Sequence, residues 1–155
     1  MTSAPKVFLD TNVLLDLFLE REGMDAAAQI LDYGIKDRIT VGVSYLSFAN
    51  IAYVMRKWMP HQFLSPSLLQ LSSLVNVLSM DDGQLHNAIM MEGPDFEDVL
   101  QYACALDHGY GLIVTRNKDH FNVRNGLSES FRPIPIMSPP EFLAWLSSVS
   151  PSPAP

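Results

Sequence analysis

Cysteine is almost missing from this chain: Cys104 is the single one in 155 residues. A lone cysteine forms no internal disulfide and builds no cysteine-based zinc centre, and it agrees with a reducing compartment. Its place in an apolar helical pattern makes it core rather than nucleophile. Basic residues are also scarce. Ten lysines and arginines stand against seventeen acids, for a net charge of −7, which excludes a broad nucleic-acid-binding surface and leaves room only for local contact with RNA or DNA. Long apolar runs are absent too. Asp10, Asp16 and Glu20 interrupt the N-terminal apolar stretch well before the roughly 20 residues that a membrane span needs. The opening Met1-Thr2-Ser3-Ala4-Pro5-Lys6 lacks the basic and apolar regions of a signal peptide, so the cytoplasm is the expected compartment and no membrane is an expected partner.

What is present is the composition of a globular protein, 48% hydrophobic and 17% charged. The length fits one domain, expected over residues 1–148, with a disordered Pro/Ser-rich tail expected over 149–155. Strands and helices alternate along the chain. Lys6 to Leu9 reads as a strand, followed by a helical stripe through Val13, Leu14, Leu17 and Phe18, with Asp16 on its polar face. Met24 to Tyr33 is the next helix, stopped by Gly34. Ile39 to Val43 is a β-branched strand, and Ser44 or Ser47 caps the helix carrying Phe48, Ile51, Ala52 and Met55, which Pro60 ends. Ser65-Pro66 predicts a fresh helix start by the serine-cap, proline-first pattern.

A short strand follows near Val75 to Leu78, then a helix capped by Asp81 or Asp82, and after the Gly93-Pro94 break a helix from Asp95 to about Asp107. Leu112 to Thr115 is a buried strand, and Ile134-Pro135-Ile136 is a last one that its proline confines to an edge. Ser138 caps the final helix. This alternation predicts the α/β class: three α/β/α layers around a mostly parallel central sheet.

The acids carry the functional signal. Asp10 closes the apolar run Val7-Phe8-Leu9 and opens Thr11-Asn12-Val13-Leu14-Leu15-Asp16, at a strand end, where open α/β sheets bind ligands. A carboxylate there must be solvated, paired or metal-bound. Asp95 and Asp98 also have a plain explanation, as helix cap and first-turn acid, and Asp119 beside His120 equally suits a solvated loop. Strand ends of a parallel sheet share one edge, however, so Asp10, Asp98 and the Asn117–Asp119 turn can converge. Convergent carboxylates call for a cation, and magnesium, which takes hard oxygens, few carboxylates and substrate phosphates, is the expected one. Such an ion supports phosphodiester hydrolysis without a covalent enzyme intermediate.

Three segments in order resemble the PIN domain family: Val7-Phe8-Leu9-Asp10-Thr11-Asn12, Asp95-Phe96-Glu97-Asp98-Val99-Leu100-Gln101-Tyr102-Ala103, and Ile113-Val114-Thr115-Arg116-Asn117-Lys118-Asp119-His120-Phe121, with Val43-Ser44 and a helix between the first two. The resemblance spans roughly residues 6 to 140 and implies a PIN-like α/β fold. It also implies a magnesium- or manganese-dependent ribonuclease, in bacteria often the VapC-type toxin of a toxin–antitoxin pair, with RNA as substrate, an antitoxin protein as partner and homodimers common. Asp10 matches the first acid, a metal ligand, and Asp98 the third. Thr11 and Asn12 match positions that orient the first acid, and Ser44 lies at the site's margin.

Two acids of the family pattern are replaced here. Asn50 occupies the usual glutamate position after the second strand, and Asn117 follows Thr115-Arg116, with Asp119 arriving two residues later. A subgroup of PIN domains looks like this. Glu97 or Asp119 is then expected to complete a one-metal site with Asp10 and Asp98. Arg116 and Lys118 are expected to hold substrate phosphate, with Arg56, Lys57, His120 and Arg124 nearby. Met55, Trp58, Met59 and Phe63 suit either an antitoxin-facing surface or core packing.

The rival reading is a catalytically degenerate PIN-like domain that binds RNA or protein, motivated by Asn50 and Asn117. An aspartyl-nucleophile phosphatase, which would need an acid where Asn12 stands, and a phosphorylated receiver domain, which would need a lysine ending a late strand, fit less well.

Overall fold

The computed structural model describes residues 3–123 and 133–149. Five strands form one parallel sheet in the order β3-β2-β1-β4-β5: β1 Lys6–Leu9, β2 Thr40–Ser44, β3 Asn76–Leu78, β4 Leu112–Val114 and β5 Ile136–Met137. Parallel neighbours need crossovers, and helices supply them. They are α1 Thr11–Phe18, α2 Met24–Ile35, α3 Tyr45–Met55, α4 His61–Leu74, α5 Asp82–Met90, α6 Phe96–Asp107 and α7 Pro139–Val149.

Side-chain alternation in β1 sorts the helices onto two faces. Val7 and Leu9 point into a core built with Val13 and Leu14 of α1, Ile30 of α2, Ile51 of α3, Leu64 and Leu71 of α4 and Phe142 of α7. Phe8, between them, points to the other core, with Ala88 of α5 and Val99, Tyr102 and Cys104 of α6. Both faces are covered, so the central strands read as unbroken apolar runs. The predicted three-layer α/β architecture is what the chain adopts. In β2, Gly42 leaves room for the Tyr110 ring; a Cβ there would stand 2.4 Å from it.

The order of strands makes the site. The chain lays down β2 and β3 on one side of β1, then crosses back to place β4 and β5 on the other. At such a switch point the connections after β1 and β4 diverge and leave a crevice at the carboxyl edge of the sheet. Asp10 follows β1 directly and Thr115 follows β4, so both fall in that crevice.

Most predicted caps hold. Asp81 forms a capping box with Gln84, Asp95 accepts from the Asp98 N–H, and Ser138 and Glu141 cap α7 reciprocally. Three expectations fail. Gly34 does not stop α2, which runs through Ile35; the glycine instead lets Val41 of β2 approach, since a Cβ there would stand 2.9 Å from the valine side chain. Ser65-Pro66 does not open a helix; Pro66 lies inside α4, which starts at His61. The lost hydrogen bond is tolerated because Leu64, before the proline, and Leu71, after it, are both buried in the same core. Asp16 is not on a polar face: it is 1% exposed. The last helix runs through Val149, the first residue of the expected tail, and residues 150–155 lie outside the described residues.

Candidate active site

Asp10 is the N-cap of α1, in extended backbone, because an apolar strand must hand over to a helix whose first N–H groups have no partners. The Thr11 N–H donates to Asp10 Oδ1 at 2.8 Å, and the Thr115 hydroxyl, arriving from β4, donates to Oδ2 at 2.9 Å. The carboxylate is therefore fixed from both strands that border the crevice. Burial pushes its pKa up, against hydrogen bonds from Thr115 and the Thr11 and Asn12 backbone and the charge of His120.

Asp98 reaches the same place from the first turn of α6. It is buried, and its pKa rises to about 7, first through desolvation and then through the charges of Asp10, Asp95 and Glu97, with His120 pulling the other way. The basic side chain paired with it is His120, whose Nδ1 is 3.3 Å from Asp98 Oδ2. Asp98, Glu97, Asp95, Asn12, Asn50 and Asn117 open onto one cavity of about 380 Å³, which His120 and Tyr53 also line. Four carboxylates against one exposed imidazole leave this crevice short of positive charge.

The donor chemistry fits a divalent ion of the magnesium type. Hard oxygens dominate, and the repulsion that lifts Asp98 is what a cation would relieve. Among the described residues no three His, Cys, Asp or Glu side chains group around one point. Asp10 and Asp98 would therefore hold the ion with water and substrate oxygens, as magnesium allows. Asn50 does not aim its amide nitrogen at a substrate: Nδ2 donates to Glu97 Oε1 and so ties α3 to α6 beside the acids.

Other predicted residues sit apart from this cavity. Lys118–Phe121 forms a 3₁₀ turn, in which successive side chains point about 120° apart. His120 thereby faces Asp98, while Asp119 joins Arg116, Lys118 and Ser138 around a neighbouring cleft. Lys118 Nζ is held by both oxygens of Glu141, at 2.8 and 3.1 Å. Arg116 Nη1 is held by Asp16 Oδ1 at 2.7 Å, and Arg21 Nε meets the same oxygen at 2.9 Å. Arg116 still keeps further N–H donors and is 44% exposed. Arg124 lies outside the described residues.

Sequence reasoning missed the polar core beneath the acids. Gln101, one turn after Asp98 and fully buried, accepts from the Ser44 hydroxyl and donates to Ser47 Oγ at 2.8 Å and Thr11 Oγ1 at 3.1 Å. Thr11 and Ser47 share a further hydrogen bond at 2.8 Å. The ends of β1 and β2 and the starts of α1 and α3 are thus bolted to the helix that carries Asp98. The one available signal was the spacing Asp98-x-x-Gln101, which puts both side chains on one face of a helix.

The sequence profile of the PIN domain family matches residues 6–119. Ribonuclease VapC1 of Aquifex aeolicus (strain VF5) is 26% identical over 126 residues, covering 77% of this chain and 87% of that protein. Two solved structures share the fold. A toxin–antitoxin complex from Klebsiella pneumoniae superposes with a TM-score of 0.56 at 20% identity, over 84% of this chain and 99% of that one. VapBC2 from Rickettsia felis, bound to a DNA fragment from the promoter, superposes with a TM-score of 0.60 at 15% identity, over 86% and 98% of the two chains. With a profile match over most of its length, and with Asp10 and Asp98 gathered at the crevice between β1 and β4, this chain belongs to the PIN domain family.

Proposed function

We propose that this protein is a divalent-metal-dependent ribonuclease that hydrolyses RNA phosphodiester bonds, and the toxin of a toxin–antitoxin pair acting in the cytoplasm. The observation that carries the activity is the pair Asp10 and Asp98, two buried carboxylates crowded onto one crevice with too little positive charge around them. The similarity to a ribonuclease VapC1 and to toxin–antitoxin structures supports the same reading.

Asp10 is the fixed ligand, because Thr11 and Thr115 leave its carboxylate one orientation. Asp98 is the second ligand, and Glu97, held by Asn50, adds charge at the rim. A bound Mg²⁺ or Mn²⁺ supplies polarisation of the phosphodiester and a lowered pKa for water. No hydroxyl of the buried network is placed to attack, since those of Thr11, Ser44 and Ser47 are all engaged with one another or with Gln101. Water is then the nucleophile, and Asn12, Asn117 and His120 line the space in which it and the substrate meet. Arg116 is the better candidate for a phosphate contact, as Lys118 is taken up by Glu141.

An apolar groove of about 380 Å³ between α1, α2, α3 and α4, lined by Leu17, Phe18, Leu31, Met59 and Leu71 among others, supports an antitoxin segment as the partner. Of Met55, Trp58, Met59 and Phe63, Met55 is itself core, 3% exposed, while Trp58 and Phe63 are open to solvent.

The test is cleavage of a mixed single-stranded and structured RNA pool with Mg²⁺, Mn²⁺ or EDTA, by the parent protein and by Asp10→Asn. Metal-dependent cleavage lost in the variant is expected. A folded protein that cleaves no RNA with either metal would overturn the assignment and favour an RNA- or protein-binding role, with Asn50 and Asn117 as its cause.

A further inference from the structure

The cavity that holds the acids has one aromatic wall. Tyr53 lies one turn after Asn50 on α3, and both line the space onto which Glu97 and Asp98 open. A ring placed for packing would be covered, yet Tyr53 is 65% exposed. Among the described residues its hydroxyl has no hydrogen-bond partner within the protein. The ring is nevertheless held in place. The Arg56 guanidinium lies over it, 3.5 Å from the centroid, and Arg56 Nη1 donates to the Tyr53 carbonyl. One face therefore meets a cation, and the ring as a whole stays open to solvent.

An open ring on a rigid helix, backed by a guanidinium and bordering a phosphodiester-cleaving crevice, has the chemistry of a base-stacking platform. Single-stranded nucleic acids bind by stacking bases on such rings, and arginine adds attraction for the π-system and the phosphates. A duplex keeps its base faces stacked on one another and cannot offer one to Tyr53. With a chain charge of −7, stacking also provides affinity that a broad basic surface does not.

We propose that Tyr53, held by Arg56, stacks an unpaired nucleobase of the substrate next to the scissile phosphate. This rests on the ribonuclease reading above and adds a contact to a substrate base. Tyr53 binds substrate and takes no part in the chemistry.

Two arms test it with the full chain. In the first, RNA oligonucleotides carrying 2-aminopurine at successive positions are bound to Asp10→Asn protein in Mg²⁺. Quenching at one position is expected, retained when Tyr53→Phe or Tyr53→Trp is added and lost with Tyr53→Ala. In the second, Tyr53→Ala raises KM for the matching single-stranded substrate about ten-fold, about 1.4 kcal/mol, with kcat within about two-fold. An abasic nucleotide at the quenched position costs the parent the same factor and leaves nothing for Tyr53→Ala to remove. Unchanged quenching and KM in Tyr53→Ala would overturn the proposal. So would an abasic penalty that adds in full to that of Tyr53→Ala. A parent that cleaves nothing would refute the ribonuclease reading instead, and the quenching arm would still decide the stacking. Melting curves establish that Tyr53→Ala, a change at an exposed side chain, is folded.

Discussion

Replacing Asp98 by asparagine should stabilise the metal-free protein while removing its activity. Asp98 is buried beside Asp10, Asp95 and Glu97, and its pKa stands at about 7 where an ordinary aspartate has 3.8. Each unit corresponds to about 1.4 kcal/mol, so at full weight the ionised carboxylate would cost the fold about 4 kcal/mol. The crevice opens to solvent, and screening reduces this to about 2 kcal/mol. The sign follows from linkage. Below pH 3.8 both folded and unfolded states are protonated and the cost is absent; it grows as pH rises and is complete above about pH 7. Asp98→Asn never carries this charge. At pH 8 it should melt about 5 °C above the parent without metal, and at pH 5 only about a third of that gain should remain. Addition of Mg²⁺ should raise the parent's melting temperature at pH 8 and leave the variant unmoved. Differential scanning calorimetry at the two pH values, with EDTA or Mg²⁺, reads all of this. A variant no more stable than the parent at pH 8, or equally stabilised at pH 5, would refute the charge crowding.

Four further changes probe the rest of the molecule. Asp16→Asn leaves Arg116 and Arg21 without their shared buried partner and should cost about 2 kcal/mol in urea unfolding, below the value for a fully buried pair because both arginines are partly exposed. Gly23→Ala puts a Cβ 2.0 Å from Asp16 Oδ2 and should destabilise by about 1–3 kcal/mol, a cost that should shrink in the Asp16→Ala background. Gln101→Leu takes away the acceptor of the Ser44 hydroxyl and the amide donor to Ser47 and Thr11, which keep their mutual bond, and should cost about 2–4 kcal/mol, whereas Cys104→Ser should leave cleavage within about two-fold, since that thiol is buried and its pKa is pushed up to about 12.

The strand–Asp10–helix unit was legible in the sequence because a buried strand, a capping acid and a helical stripe are all local patterns. So were Asp95 and Asp98, which announce a helix start by their spacing. The order of the sheet was not, and with it went the reason these acids meet: the crossover that sets β4 beside β1 depends on packing across the whole chain. Asp16 looked like a surface residue because its partner Arg116 is 100 positions away. Gln101 read as one more polar helix position, although its amide joins elements 54 to 90 residues apart in sequence. His120 lines the cavity of the acids while Asp119 faces the cleft beside it, a placement set by the 3₁₀ turn after Asn117, which no local pattern in the sequence marks. Pro66 was misread as a start because the burial of Leu64 ahead of it had no sequence signature.

Locating manganese by anomalous scattering, in crystals of the full chain soaked with Mn²⁺, asks most directly whether the crevice between β1 and β4 is a metal centre. A single strong peak contacted by Asp10 and Asp98, absent in Asp98→Asn crystals, is the expected result. Ordered crystals that take up manganese elsewhere, or show no peak between those two carboxylates, would contradict the assignment of the site.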